Sequence, residues 1–176
     1  MAKNILILST DYGVEKPEIV QPLETLRADG HTVTVATPGG GDVQTVTDDR
    51  NPDVTVPTDT ALADVTGEFD VIVLPGGTVN ADTARADEGI RDIVSAQAKA
   101  GRTVAAICHA PWVLVDTELA KGKNLTSFSS IRPDLVNAGA TWHDEEVVVC
   151  DTDGWRLITS RNPGDLDAFI AAIEKD

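Results

Sequence analysis

Two rhythms of apolar and polar residues run along this chain, and the changes between them mark its elements. NILILS (4–9) is a short apolar run that predicts a first strand. Over roughly 16–28, Ile19, Leu23 and Leu26 share a helical face and Gly30 supplies a stop, so a helix is expected there. Pro22 inside it predicts a kink. HTVTVAT (31–37) predicts a second strand, and the turn-rich, alternating stretch 39–60 a β-hairpin excursion. FDVIVLPGG (69–77) predicts a buried strand running into a glycine turn. A helix carrying Ile90, Ile93 and Val94 follows and ends at Gly101. TVAAI (103–107) predicts a central strand, with Cys108 and a short helix through about 116 after it. LTSF (125–128) reads as a strand and PDLVNAG (133–139) as a short helix. EVVVCDTDGWRLITS (146–160) predicts two strands around an Asp153-Gly154 turn. A last helix opens at Asn162 or Pro163, with Leu166, Phe169, Ile170 and Ile173 at helical spacing.

Strands alternating with helices predict a mostly parallel sheet with helices on both faces. With no internal repeat, low-complexity tract or boundary, residues 1–176 are expected to form one doubly wound α/β domain. No apolar run approaches the roughly 20 residues of a membrane span. The start, MAKNILILST, lacks a small-residue cleavage site and reads better as a strand, so a cytoplasmic protein is expected. Two cysteines 42 residues apart make neither a disulfide framework nor a zinc site, and each is expected as a free thiol. The three histidines show no metal-ligand spacing; His31 and His143 are assigned structural roles. The net charge of −15 disfavours nucleic acid and anionic membrane as partners. Aspartate outnumbers glutamate and only six residues are lysine, which fits either a salt-adapted surface or a biased codon usage.

In open parallel α/β sheets, sites form beyond the carboxyl ends of the strands. Glu15, Gly76-Gly77 and Cys108-His109 all follow predicted strands. Cys108 stands where a strand turns abruptly into a helix, a geometry that exposes a nucleophile on a tight turn. The helix N-terminus is expected to favour its thiolate. The N–H groups of His109 and Gly77 are expected to bind a developing oxyanion. The competing reading makes Cys108 a small buried hydrophobe, the common fate of free cysteine. Cys150 is assigned to packing. Trp112, one helical turn after the elbow, is expected to wall the pocket or pack an interface, and Asn80 to line the cleft.

VIVLPGG, AAICHAPWVL, LTSFSSIRPDLVNAGATW and ITSRNPGDL together resemble the PfpI family of intracellular cysteine proteases and deglycases, within the class I glutamine-amidotransferase-like superfamily. The resemblance covers nearly the whole chain. It implies a flavodoxin-like three-layer sandwich and a homodimer or higher homo-oligomer. It also implies a site of elbow cysteine, adjacent histidine and a glutamate after the first strand, with no metal or cofactor. The first two match Cys108 and His109. The glutamate, taken as seven residues before the proline of the first helix, falls on Glu15 ahead of Pro22 and is expected against the Cys108 sulfur. An acid from a neighbouring subunit orients the histidine in peptidase members. Asp82 is the carboxylate of the matching stretch TVNADTAR, displaced by about one residue, and it competes with a helix-cap or solvated role.

The expected function is a cysteine-dependent hydrolase in stress response. Its substrates would be reactive carbonyls or glycated groups (glyoxalase or deglycase), ranked slightly above peptides. The alternative is a redox-sensing or chaperone-like stress protein with Cys108 as an oxidisable switch.

Overall fold

The first strand shows how the sheet is built. In β1 (Asn4–Leu8), Ile5 and Ile7 face one way and Leu6 and Leu8 the other, and all four are buried. Both faces of the sheet must therefore be covered. The computed structural model describes residues 1–175. After β1 the chain runs through β2 (Tyr12–Glu15), α1 (Lys16–Ala28), β3 (Thr32–Thr37), β4 (Val43–Thr47), β5 (Asn51–Val56) and β6 (Thr60–Ala61). It continues through β7 (Val71–Leu74), α2 (Thr78–Ala86), α3 (Glu88–Lys99), β8 (Thr103–Ile107), α4 (Trp112–Asp116), β9 (Asn124–Leu125) and α5 (Arg132–Asn137). It closes with β10 (Thr141–Trp142), β11 (Val148–Cys150), β12 (Leu157–Ser160) and α6 (Leu166–Lys175).

The central sheet has seven strands in the order β11-β12-β8-β7-β1-β3-β6, all parallel except β11. Ile5, Ile7, Val33 and Val73 pack with Ile19, Leu23 and Leu26 of α1 and Phe169, Ile170 and Ile173 of α6. The other face packs Leu6, Leu8, Ile72 and Val104 with Ile90 and Val94 of α3, Leu114 of α4 and Leu135 of α5. The result is the three-layer α/β sandwich that the pattern predicts.

The hairpin expected over 39–60 is β4 paired antiparallel with β5, and β2, which the pattern did not predict, lies parallel to β4. This small sheet sits where α1 begins. The helix α1 runs on through Pro22. The chain between β7 and β8 makes two helices; Asp87 starts the second by accepting from Ile90 N at 2.9 Å. Of LTSF only Leu125 is strand, in β9 with Asn124 before it.

Candidate active site

β8 ends at Ile107, and Cys108 takes φ +65°, a left-handed conformation that costs a non-glycine residue roughly 1–3 kcal/mol. The neighbours hold it there. Its N–H donates to Ser160 O of β12 at 3.0 Å, and its carbonyl accepts from Phe128 N at 2.8 Å. A turn of short-range bonds over residues 107–113 follows, so α4 starts four residues after the cysteine.

Four groups meet the sulfur: two amides, a carboxyl and an imidazole nitrogen. The N–H groups of Gly77 and His109 both donate to it, so the two amides expected to act as a pair converge on one sulfur. The third is the carboxyl of Glu18, fully buried and hydrogen-bonded with the thiol. Glu18 Oε2 accepts from Gly76 N at 2.9 Å, while Oε1 has no hydrogen-bond partner. An ionised oxygen left so would cost several kcal/mol, which favours the neutral acid. Burial accordingly pushes the Glu18 pKa up to about 8, and the charges of Glu15 and Asp49 push the same way. Glycine is required at 76, where a Cβ would lie 2.6 Å from Cys108 Cβ and 2.8 Å from Ile107 O. Gly77, at φ +82°, would drive a Cβ to within 2.7 Å of Glu15 N.

The thiol itself departs from the sequence-based expectation. Burial and a charged Glu18 push its pKa up, against the pull of the two amides. A helix of five residues starting at Trp112 is too short and too distant to reverse this. Cys108 is 4% exposed and rests as a thiol.

His109 lies against it, Nδ1 at 3.2 Å from Sγ and Nε2 at 3.2 Å from Ser130 Oγ. With Nε2–H donating to Ser130, Nδ1 is free to take the thiol proton. The ring stacks on Phe128, centroids 4.8 Å apart, and Trp112 tilts against it at 5.4 Å. Burial lowers its pKa, so it is neutral near pH 7.

Residues 3–176 match the DJ-1/PfpI family model. The chain belongs to the DJ-1/PfpI family. It is 39% identical over 170 residues to "Putative cysteine protease YraA" of Bacillus subtilis (strain 168), covering 96% of this chain and 95% of that protein. It is 39% identical over 172 residues to deglycase TK1284 of Thermococcus kodakarensis, covering 97% of each. The crystal structure of Drosophila melanogaster DJ-1beta superposes with a TM-score of 0.86 at 38% identity, covering 98% of this chain and 89% of that one.

Within this DJ-1/PfpI domain Glu18, and not Glu15, holds the place expected against the Cys108 sulfur. Glu15 is the residue where β2 passes into α1, and its carboxylate accepts from Asp48 N and Asp49 N, both at 3.0 Å. It faces the hairpin turn. Glu18, four residues before Pro22, lies on the buried stripe Glu18, Ile19, Pro22, Leu23, Leu26 and is carried inward. An acid aligned with an apolar stripe was the signal in the sequence, because unpaired acids are rarely buried.

Asp82 is exposed on α2, and within this chain Ser130 takes the outer nitrogen of His109. Gly76 donates to Glu18, which makes it a support of the carboxyl; Gly77 supplies the amide at the sulfur. Trp112 packs on His109 and donates from Nε1 to Asp134 Oδ2 at 2.7 Å. Phe128 and Ser130, which residue-by-residue reasoning missed, lie in the SFSS stretch of the motif. Asn80 does not line the cleft. It is buried, accepts from Thr10 N at 2.8 Å and donates to Pro75 O and Gly76 O at 3.0 and 2.9 Å, tying the end of β1 to the glycine turn. Among the described residues, no helix is long and apolar enough to cross a membrane.

Proposed function

We propose that this chain is a cysteine-dependent hydrolase of small reactive carbonyls and their glycation adducts, with Cys108 as nucleophile. The observation that carries the reading is the convergence on one sulfur of two amides, an imidazole nitrogen and a buried carboxyl with pKa about 8. Sγ adds to an aldehyde carbon as its proton passes to His109 Nδ1. The carbonyl π pair moves to oxygen, where the Gly77 and His109 amides hold the charge until the proton is returned. The product is a thiohemiacetal. For a 2-oxoaldehyde, the ionised fraction of Glu18 takes the C1 hydrogen as a proton to give an enediol, and the carboxyl so protonated returns a proton to C2, leaving a thioester of the 2-hydroxy acid. Water then cleaves the thioester, freeing the thiol, so the sum is aldehyde plus water to hydroxy acid. A carboxyl that titrates near neutrality can both take and give the proton this sequence requires.

A sulfur 4% exposed suits a small aldehyde better than an extended peptide, which supports carbonyl chemistry over proteolysis. The reading includes the homodimer or higher oligomer and the stress role implied by the resemblance. Loss of methylglyoxal on addition of purified protein, with formation of lactate, tests it. Equal loss with Cys108→Ala would sink it.

The redox alternative draws support from the same donors, which would also hold the oxygens of an oxidised sulfur. Clean oxidation at Cys108 under mild peroxide, seen by mass spectrometry without aldehyde turnover, would favour it.

A further inference from the structure

The β4–β5 turn carries two consecutive non-glycine residues in the left-handed region, Asp48 and Asp49, each at φ 56°. Such a turn favours glycine or asparagine, so something must hold it. On one side the Glu15 carboxylate accepts both turn amides at 3.0 Å. On the other, the Asp49 carboxylate accepts from Thr78 N at 2.7 Å and from Thr78 Oγ1 at 3.0 Å. Thr78 is the first residue of α2, so an acid is favoured there by the free amides of the helix start. It also directly follows Gly77, whose amide faces the Cys108 sulfur.

We propose that Asp49 is a positioning residue for the Cys108 centre: through Thr78 it fixes the Gly77 amide on the sulfur, and Glu15 in turn fixes Asp49. Glu15, one turn ahead of the buried Glu18, therefore serves the site at one remove. The chain of contacts joins the start of α1, the hairpin turn and the start of α2; the first carries Glu18 and the last adjoins Gly77, both of which meet the sulfur. Gly77 cannot hold this position by packing of its own, having no side chain and a φ of +82°. The charge of Asp49 also reaches both titrating groups of the site, raising the affinity of Glu18 and of His109 for protons. The groups facing Glu18 are Cys108, Glu15 and Asp49, and those facing His109 are Cys108 and Asp49.

This inference rests on the proposed function only for the meaning of catalysis; its first readouts are the rate of Cys108 alkylation by iodoacetamide at about pH 9 and the pH midpoint of the His109 imidazole followed by NMR. Asp49→Asn keeps an acceptor for Thr78 N and removes the charge. It is expected to stay within about threefold of the wild-type alkylation rate, with the His109 midpoint moved down. Asp49→Ala removes the acceptor as well, and is expected to lower kcat on methylglyoxal between about tenfold and a hundredfold with KM little changed. Thr78→Val, which keeps the backbone donor, is expected to fall between the two. Circular dichroism melts and titration of total thiol normalise every variant to folded protein. A wild-type alkylation rate and a wild-type His109 midpoint in both Asp49 variants would overturn the proposal. So would a loss in Asp49→Ala that vanishes on that normalisation. Absence of turnover in the wild type would instead overturn the proposed function, while the alkylation rates and the His109 midpoints would still judge Asp49.

Discussion

Glu18 Oε2 and the Cys108 side chain both press on Gly76, at the one residue where a missing Cβ lets a carboxyl from α1 meet a thiol from the end of β8. The two acids are mutually hydrogen-bonded and buried, so neither titrates as it would in water.

The first consequence is a pH-dependent stability. The folded chain keeps the Glu18 proton up to about pH 8, whereas the unfolded chain loses it near the ordinary 4.5. Between these values the folded state holds one proton more, so stability falls as pH rises through that window. The fall is on the order of several kcal/mol. Glu18→Gln removes the titration. Urea melts from pH 4.5 to 8.5 are expected to show a decline for the wild type that flattens in this variant. Methylglyoxal turnover by Glu18→Gln is expected to drop by about a hundredfold or more. Glu15→Gln should keep the decline, with its upper end moved to lower pH.

Gly76→Ala tests the contact directly. The added methyl would sit 2.6 Å from Cys108 Cβ, with backbone on its other side, and so must displace either the elbow or the glycine turn. Overpacking of this kind costs about 1–3 kcal/mol. The expected result is a folded protein with a lowered melting temperature and Cys108 alkylation altered by at least about tenfold. An unchanged alkylation rate would contradict the geometry.

His109 provides a contrast between two candidate supports. Ser130 Oγ lies 3.2 Å from Nε2, while Asp82 is solvent-exposed on α2. Ser130→Ala leaves the outer nitrogen of a buried ring without its partner, so kcat is expected to fall by about three- to tenfold and the histidine midpoint to shift. Asp82→Ala is expected to leave kcat on small aldehydes within about twofold. The imidazole titration followed by NMR in the two variants checks this independently of turnover.

Much of this site was legible in the residues. The break from TVAAI to Cys108-His109, and the glycine pair after VIVL, fall at carboxyl ends of neighbouring parallel strands, and local pattern suffices to find such ends. The strand and helix periods likewise determine the sandwich, because residues alternating along β1 must bury both faces. The glutamate was another matter. Glu15 and Glu18 stand three residues apart and are chemically identical, and counting back from Pro22 selected the wrong one.

What decided between them is tertiary. Helix phase carries Glu18 under Gly76, and only the packed sheet makes that position dry enough to keep a carboxyl protonated at pH 7. Glu15 points to a turn whose amides come from residues more than thirty positions away. The resting state of Cys108 was hidden for the same reason: burial and a neighbouring acid outweigh the local helix start. Sequence determined which elements form and where a nucleophile could stand. The fold determined which acid meets it, because desolvation and charge proximity are properties of the packed chain.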